Sequence, residues 1–346
     1  MSNCADAHVL RNKFITYIFL MGCNIVNENK KIKTVEYGKY GYGFLAPFFI
    51  VFLAFQLVPL VYTFAMSFVY SEKVGRNKVT TIIGFGNFKN YVFSGNKEVW
   101  ISIGITLILW LLNFLPQILL ALLLAAWFTD SHNKLKGQGA YKVIMYMPNI
   151  ITAASIAFLF FALFSVQGTF TSILRNIGIP IADGGLLDHG WYSLFIIAFI
   201  QFWMWYGQTM IVLIAGIMGI NPSLYEAAMV DGASARQQFF SITLPLLKPI
   251  LQFTMVTSAI GGLQMYDIPQ LFNAGKPVVN FCGQSVDSTK TIVMLIKSYI
   301  EAGSGQNLGR ASAYSVILFI ITLAISMVFY ILTSDKKPKK GKKEVK

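Results

Sequence analysis

The chain has 346 residues, of which 55% are hydrophobic and 12% charged, about half the charged share of an ordinary soluble domain. That composition excludes an ordinary soluble enzyme or binding module. The net charge of +13 invites a nucleic-acid reading, yet the basic residues gather at the chain ends and between apolar runs, as at a membrane surface, and no nucleic-acid partner is expected. Uncharged runs cover 44–68, 100–129, 143–174, 190–225, 249–266 and 311–334. About 20 apolar residues of helix cross a bilayer, so five of these runs suffice outright. The run 249–266 suffices if Asp267 faces the protein interior and apolar 268–272 extend it. The expectation is an all-α, polytopic membrane protein: six transmembrane helices within 44–333, a tail at 1–43 and a basic tail at 334–346.

In the first tail, residues 14–23 form an apolar run behind Arg11 and Lys13, too short to span and akin to a signal-peptide core. Leu20-Met21-Gly22-Cys23 has the look of a lipoprotein cleavage box. A lipid-modified Cys23 would put Lys30, Lys31 and Lys33 outside, against the positive-inside rule, so two other readings are preferred: a peripheral cytoplasmic segment, or a chain start at Met21. The first predicted helix opens with Ala46-Pro47 and carries Pro59. The second holds Asn113, Pro116 and Gln117, and Met147-Pro148-Asn149 opens the third. On the fourth, Gln201, Trp205, Gln208 and Thr209 stand at i, i+4, i+7 and i+8, one face, with Tyr206 beside it. On the fifth, Gly261, Gln264 and Ile268 share a face next to Asp267. Polar side chains are costly in hydrocarbon and should face the bundle interior. The glutamines there either bond neighbouring helices or line a solute path, in which Trp205 or Tyr206 would offer a flat apolar face to a sugar ring.

Between the fourth and fifth runs lies a polar island, Glu226-Ala227-Ala228-Met229-Val230-Asp231-Gly232-Ala233, continuing to Ile242-Thr243-Leu244-Pro245. Asn221 is placed to cap a short helix with Pro222 at its first position. Leu224, Ala227, Ala228 and Asp231 fall on one stripe that a partner can approach closely. Gly232 is suited to end that helix in a left-handed conformation, and a second helix over 236–247 is bent or stopped by Pro245. Cys4, Cys23 and Cys282, like His8, His132 and His189, are too scattered to suggest a metal site, disulfide framework or catalytic cluster. The phosphate-cradling Gly-X4-Gly-Lys-Ser/Thr is missing from the sequence, so no cofactor is expected in this chain and ATP would be bound elsewhere.

The island resembles the EAA loop of permease subunits of bacterial ABC importers: Glu226, Ala227, Ala228, Gly232, Ile242, Leu244 and Pro245 fill every position of that pattern. Asp231 and the run Ile242-Thr243-Leu244-Pro245 resemble the sugar-uptake, MalF-type branch. Gly84 to Tyr91 is similar to the family's segment ahead of the second helix, and the stretch 168–178 to its external loop after the third. Tyr266-Asp267-Ile268-Pro269 is similar to its Phe-Asp-X-Ile, although Asn273 and Lys276 depart from what usually follows. Gly309 to Ser315 resembles the small-residue start of the last helix.

The resemblance implies a subunit that is not itself an enzyme, working by alternating access. Its coupling residues would be Glu226, Ala227, Ala228, Asp231, Gly232 and Pro245, set in a groove of a cytoplasmic ATPase dimer. A second permease subunit, an extracellular solute-binding protein and a sugar or oligosaccharide are the other implied partners. The solute path would run along Gln201, Trp205, Tyr206, Gln208, Gly261, Gln264 and Asp267. With the loop in the cytoplasm of a bacterial cell membrane, both termini lie there too, and 18 of the 28 Lys and Arg residues fall on that side, as the positive-inside rule requires. Lys73, Arg76, Lys78, Lys89 and Lys97 in the first external loop run against it. An ATP-independent carrier is the alternative, and would need no docking loop.

Overall fold

The computed structural model describes residues 38–74, 77–94, 97–130, 136–179, 181, 185–281, 284–301 and 305–334. The apolar run ending at Cys23 and the basic tail lie outside the described residues. The chain divides into two units, Met1–Pro59 and Leu60–Lys346. In the first, α1 (Gly38–Phe52) passes into a π-helical stretch, Leu53–Leu57. That widened turn accommodates Pro59, which has no N–H and whose ring would meet the carbonyl four residues back. The helix continues as α2 (Val58–Ser67).

In the second unit an antiparallel hairpin follows, β1 (Val69–Val74) and β2 (Asn77–Ile82), with Val69 opposite Ile82. Strands were not expected here. The hairpin is anchored by Asn87, whose buried amide donates to the carbonyls of Ser67 and Val69 at 2.9 and 3.0 Å. Gly309 passes so close that a Cβ there would lie 2.3 Å from the Val69 oxygen, which is why the last helix opens on a small residue.

The bundle is built on α3 (Glu98–Thr129) and α7 (Gly190–Met218), the most extensively paired helices. Trp110, Phe114, Ile118, Ala121, Ala125 and Phe128 recur every three or four residues and are buried against Met210, Leu213, Ile214 and Ile217. The opposite stripe of α3, Leu111, Leu115, Leu119 and Leu123, is just as apolar and is exposed. In a membrane that stripe meets lipid, so hydropathy cannot tell the two faces apart; the alanines mark the packed one.

The uncharged run 143–174 is not one helix but three: α4 (Gln138–Ile150), α5 (Ala153–Phe164) and α6 (Thr169–Asn176). Met147-Pro148-Asn149 therefore closes a helix where it was expected to open one. Ile151 and Thr152 are extended, and the Thr152 side chain caps α5 by accepting from the Ser155 N–H. α4 lies against the middle of α7, where Gly207 leaves room for the Met145 carbonyl.

After α7 come α8 (Pro222–Val230), α9 (Ala235–Gln238), a π-helical stretch Phe239–Thr243, α10 (Leu244–Leu246), α11 (Lys248–Leu263) and α12 (Asp267–Asn273). A second hairpin, β3 (Val278–Phe281) and β4 (Gln284–Asp287), leads to α13 (Ile292–Glu301) and α14 (Gly305–Thr333). Among the described residues five helices are long and apolar enough to cross a membrane: Tyr40–Ser67, Glu98–Thr129, Ala153–Asn176, Gly190–Met218 and Leu308–Thr333. The pair Ala235–Leu246 and Lys248–Asn273, bent by 65°, passes the same test when taken together and counts as a sixth if it forms one broken span.

The starts of α3 and α14 are clasped to α13. Arg310 lies 3.1 Å from the Glu98 carboxylate, which also accepts from the Tyr299 hydroxyl at 2.8 Å, and the guanidinium stacks on the Tyr299 and Tyr91 rings, 4.1 and 4.9 Å from their centroids. Burial, and then the bond to Glu98, push the Tyr299 phenol well above its usual range, so it stays a neutral donor. Replacing Arg310 with Gln removes both the charge and the stacking. It is expected to cost about 1–3 kcal/mol, read as a lower thermal midpoint of the purified protein, whereas an unchanged midpoint would show the clasp to be idle.

Candidate functional site

At one end of the bundle, α8 stands almost free. Asn221 accepts from the Ser223 N–H at 3.1 Å and Pro222 occupies the first turn, as expected. The helix ends at Gly232, whose φ is +75°, with the Ala233 N–H donating to the Ala228 carbonyl at 2.9 Å and Gly232 to Met229 at 3.1 Å. This is a glycine-terminated helix end that satisfies carbonyls otherwise left open. The expected second helix over 236–247 is divided: Ser234 and Gln237 form a capping box ahead of α9, and the π-helical stretch 239–243 absorbs Pro245. Tyr225 and Thr243 join the two halves by a 2.9 Å hydrogen bond.

Glu226, Ala227, Asp231, Gly232 and Pro245 are exposed and Ala228 half-buried; no residue of α8 is buried, although it carries Leu224, Met229 and Val230. Behind the loop a groove of about 830 Å³ is lined by Phe128, Gln138, Lys142, Tyr225, Glu226 and Phe239.

Midway along α3 and α7, these helices and the α11–α12 break line a cleft of about 570 Å³. Six of the seven residues expected along a solute path line it: Gln201, Trp205, Gln208, Gly261, Gln264 and Asp267. Tyr206 does not; it faces Phe202 with ring centroids 5.9 Å apart and packs on the α3–α7 core.

The break in the helix makes the cleft. α11 stops at Leu263, Tyr266 adopts φ −135°, and α12 starts afresh at Asp267. A broken helix in hydrocarbon must satisfy its freed backbone groups. Here Thr291 donates to the Met265 carbonyl at 2.9 Å. The interruption turns Gln264 and Asp267 into the cleft with Ile268 beside them, while Pro269 and Phe272 are buried away from it. Asp267 also sits in the first turn of α12, where a negative charge is favoured.

Polar residues around the cleft fall into two groups. Gln117 donates to the Thr209 hydroxyl at 2.7 Å, Asn113 to the Leu109 carbonyl at 2.9 Å, and the Trp110 indole to Ser258 at 3.3 Å. These tie helices or their own turns. By contrast, no described residue hydrogen-bonds the side chains of Gln201, Gln208, Gln264 or Asp267. Trp110, Asn113 and Gln117 were not foreseen as lining the cleft; their i, i+3, i+7 spacing on α3 was the available signal. Gly262 seats Trp110, since a Cβ there would fall 2.0 Å from the indole Cδ1.

Residues 118–336 match the family described as binding-protein-dependent transport system inner membrane component. The chain belongs to that family. It is 30% identical over 305 residues to the lactose transport system permease protein LacF of Rhizobium radiobacter, covering 87% of this chain and 96% of that one. It is 28% identical to the trehalose/maltose transport system permease protein MalF of Thermococcus litoralis, covering 88% and 96%. The sn-glycerol-3-phosphate transport system permease protein UgpA of Agrobacterium fabrum is 28% identical, covering 82% and 91%. A solved bacterial ABC transporter for import of the acidic polysaccharide alginate superposes with a TM-score of 0.62 at 23% identity, covering 87% and 97%. It shares the fold. The protein is thus a multi-pass inner-membrane subunit of a binding-protein-dependent importer.

Proposed function

We propose that this permease carries a sugar or oligosaccharide across the cytoplasmic membrane by alternating access. The cleft is the solute path and the exposed α8 loop is the contact with a separate ATPase dimer. The observation that carries this reading is the set of polar side chains left free in the cleft, Gln201, Gln208, Gln264 and Asp267, beside Trp205, which is 44% exposed. Helix-packing glutamines would be bonded, as Gln117 is. A carbohydrate supplies hydroxyls for such groups and an apolar ring face for an indole. Relatives named for lactose and for trehalose/maltose support the solute class. A free-standing α8 with three exposed apolar side chains supports a docking partner, which an ATP-independent carrier does not need. ATP binds to that partner and not to this chain. A second, non-identical permease subunit completes the path, and an extracellular solute-binding protein delivers the sugar.

Trp205→Ala and Gln264→Ala are each expected to weaken solute affinity by about ten- to hundredfold, a loss of roughly 1–3 kcal/mol. Uptake should fall at low solute, recover at saturating solute and leave the yield of assembled complex unchanged. Yield falling in step with uptake would make both residues structural, and full activity at every concentration would remove them from the path.

The proposed orientation puts both termini and the α8 loop in the cytoplasm. A cysteine at Ser94 is therefore expected to react with an impermeant reagent added outside intact cells and one at Ser241 to stay protected. The reverse pattern would invert the topology.

A further inference from the structure

Among the described residues, the wall that this chain gives to the cleft carries one charge, the Asp267 carboxylate, and no Lys, Arg or His. That carboxylate is exposed and has no hydrogen-bond or ion-pair partner among the described residues. Lys297 stands beside the cleft without lining it: its ammonium bonds the hydroxyl of Tyr266, a lining residue, stacks 4.4 Å from that ring's centroid and lies 3.5 Å from Glu301. The other polar side chains that line it, Gln201, Gln208, Gln264 and Thr257 among them, are neutral, and the amides and hydroxyls both donate and accept.

We infer that this subunit selects an uncharged carbohydrate and that Asp267 disfavours acidic ones. The inference rests on the cleft being the solute path. An acidic sugar entering it meets a like charge at Asp267 that repels it, and no cation lines this wall to offset that repulsion. A neutral sugar meets amide and hydroxyl groups that suit its hydroxyls, and one carboxylate able to accept from a pair of them. The relatives named for glycerol 3-phosphate and alginate handle anions, so fold and family leave the charge of the solute open, and Asp267 is the charge that this wall brings to the choice.

The test is binding to the purified, assembled importer without its solute-binding protein, so that delivery does not impose the choice. The probes are a panel of neutral trisaccharides, including maltotriose and raffinose, and trigalacturonate as the acidic trisaccharide. The tightest neutral probe is expected to bind at least tenfold more tightly than trigalacturonate. Asp267→Asn should narrow that ratio to within about threefold, while Asp267→Glu, which keeps the charge, should preserve it. Trigalacturonate binding as tightly as the best neutral probe in the unaltered protein would overturn this inference and leave the solute path standing. A ratio unmoved by Asp267→Asn would show that the charge discrimination lies elsewhere. No binding by any probe at millimolar concentration would overturn the cleft reading itself.

Discussion

Gly207→Ala is expected to be among the most damaging single-methyl changes in the bundle. A Cβ at this position would lie 2.2 Å from the Met145 carbonyl oxygen and 2.9 Å from the Tyr146 Cα. Both are backbone atoms of α4, so no side chain can swing aside. Either α4 moves off α7 by more than an ångström or α7 bends. Separation would also strain the bond from the Asn149 amide to the Met204 carbonyl, 3.4 Å in this structure. Overpacking of this kind costs about 1–3 kcal/mol, more where backbone is struck. The expected readout is a sharp fall in folded yield and thermal midpoint. Gly104→Ala in α3 is the control: its Cβ would have no neighbour within 4 Å, and the alanine should be neutral or stabilising by up to ~1 kcal/mol. Similar midpoints for the two variants would show that α4 and α7 do not approach this closely.

Gly232→Val is expected to abolish uptake while leaving the protein folded and in the membrane. The Cβ would have open space around it, so the cost is conformational. At φ +75° a non-glycine residue is strained by about 1–2 kcal/mol, and a β-branched one by more. Relief comes by unwinding the end of α8, which breaks the Ala233 to Ala228 bond and reorients Asp231 and the start of α9. Gly232→Asn should retain most uptake, because asparagine tolerates the left-handed region. Full uptake by the valine variant would mean that this helix end transmits nothing.

The loop was legible because each of its features is local. Asn221, Pro222 and Gly232 act on backbone atoms within a few residues of themselves, so their types alone specify where α8 starts and ends. The five long apolar helices were legible for a similar reason, since length and lack of charge mark them. What stayed hidden depends on distant partners. The break between α5 and its neighbours falls in an uncharged run, where hydropathy is silent and the signals are only Pro148 and a capping Thr152. The extent of the fifth crossing turned on Asp267, and the structure places that residue on a cleft opened by a helix break that Thr291, far along the chain, makes tolerable. Whether a glutamine ties helices or stays free was open in the sequence: Gln117 and Gln208 look alike there, and only the position of Thr209 beside Gln117 separates them. Asn273 looked like a departure from the family's pattern. Its side-chain oxygen accepts from the Gly275 N–H at 3.2 Å and from Thr289 at 2.9 Å, so it holds the turn after α12 together.

The most direct test of the account joins its two halves, cleft and loop, in one measurement: ATP hydrolysis by the assembled importer, with and without carbohydrate-loaded binding protein. Loaded binding protein is expected to stimulate hydrolysis in the unaltered complex. Gly232→Val is expected to remove the stimulation while the cleft still binds neutral trisaccharide. Equal stimulation in both proteins, or solute uptake continuing with no ATPase attached, would contradict the account.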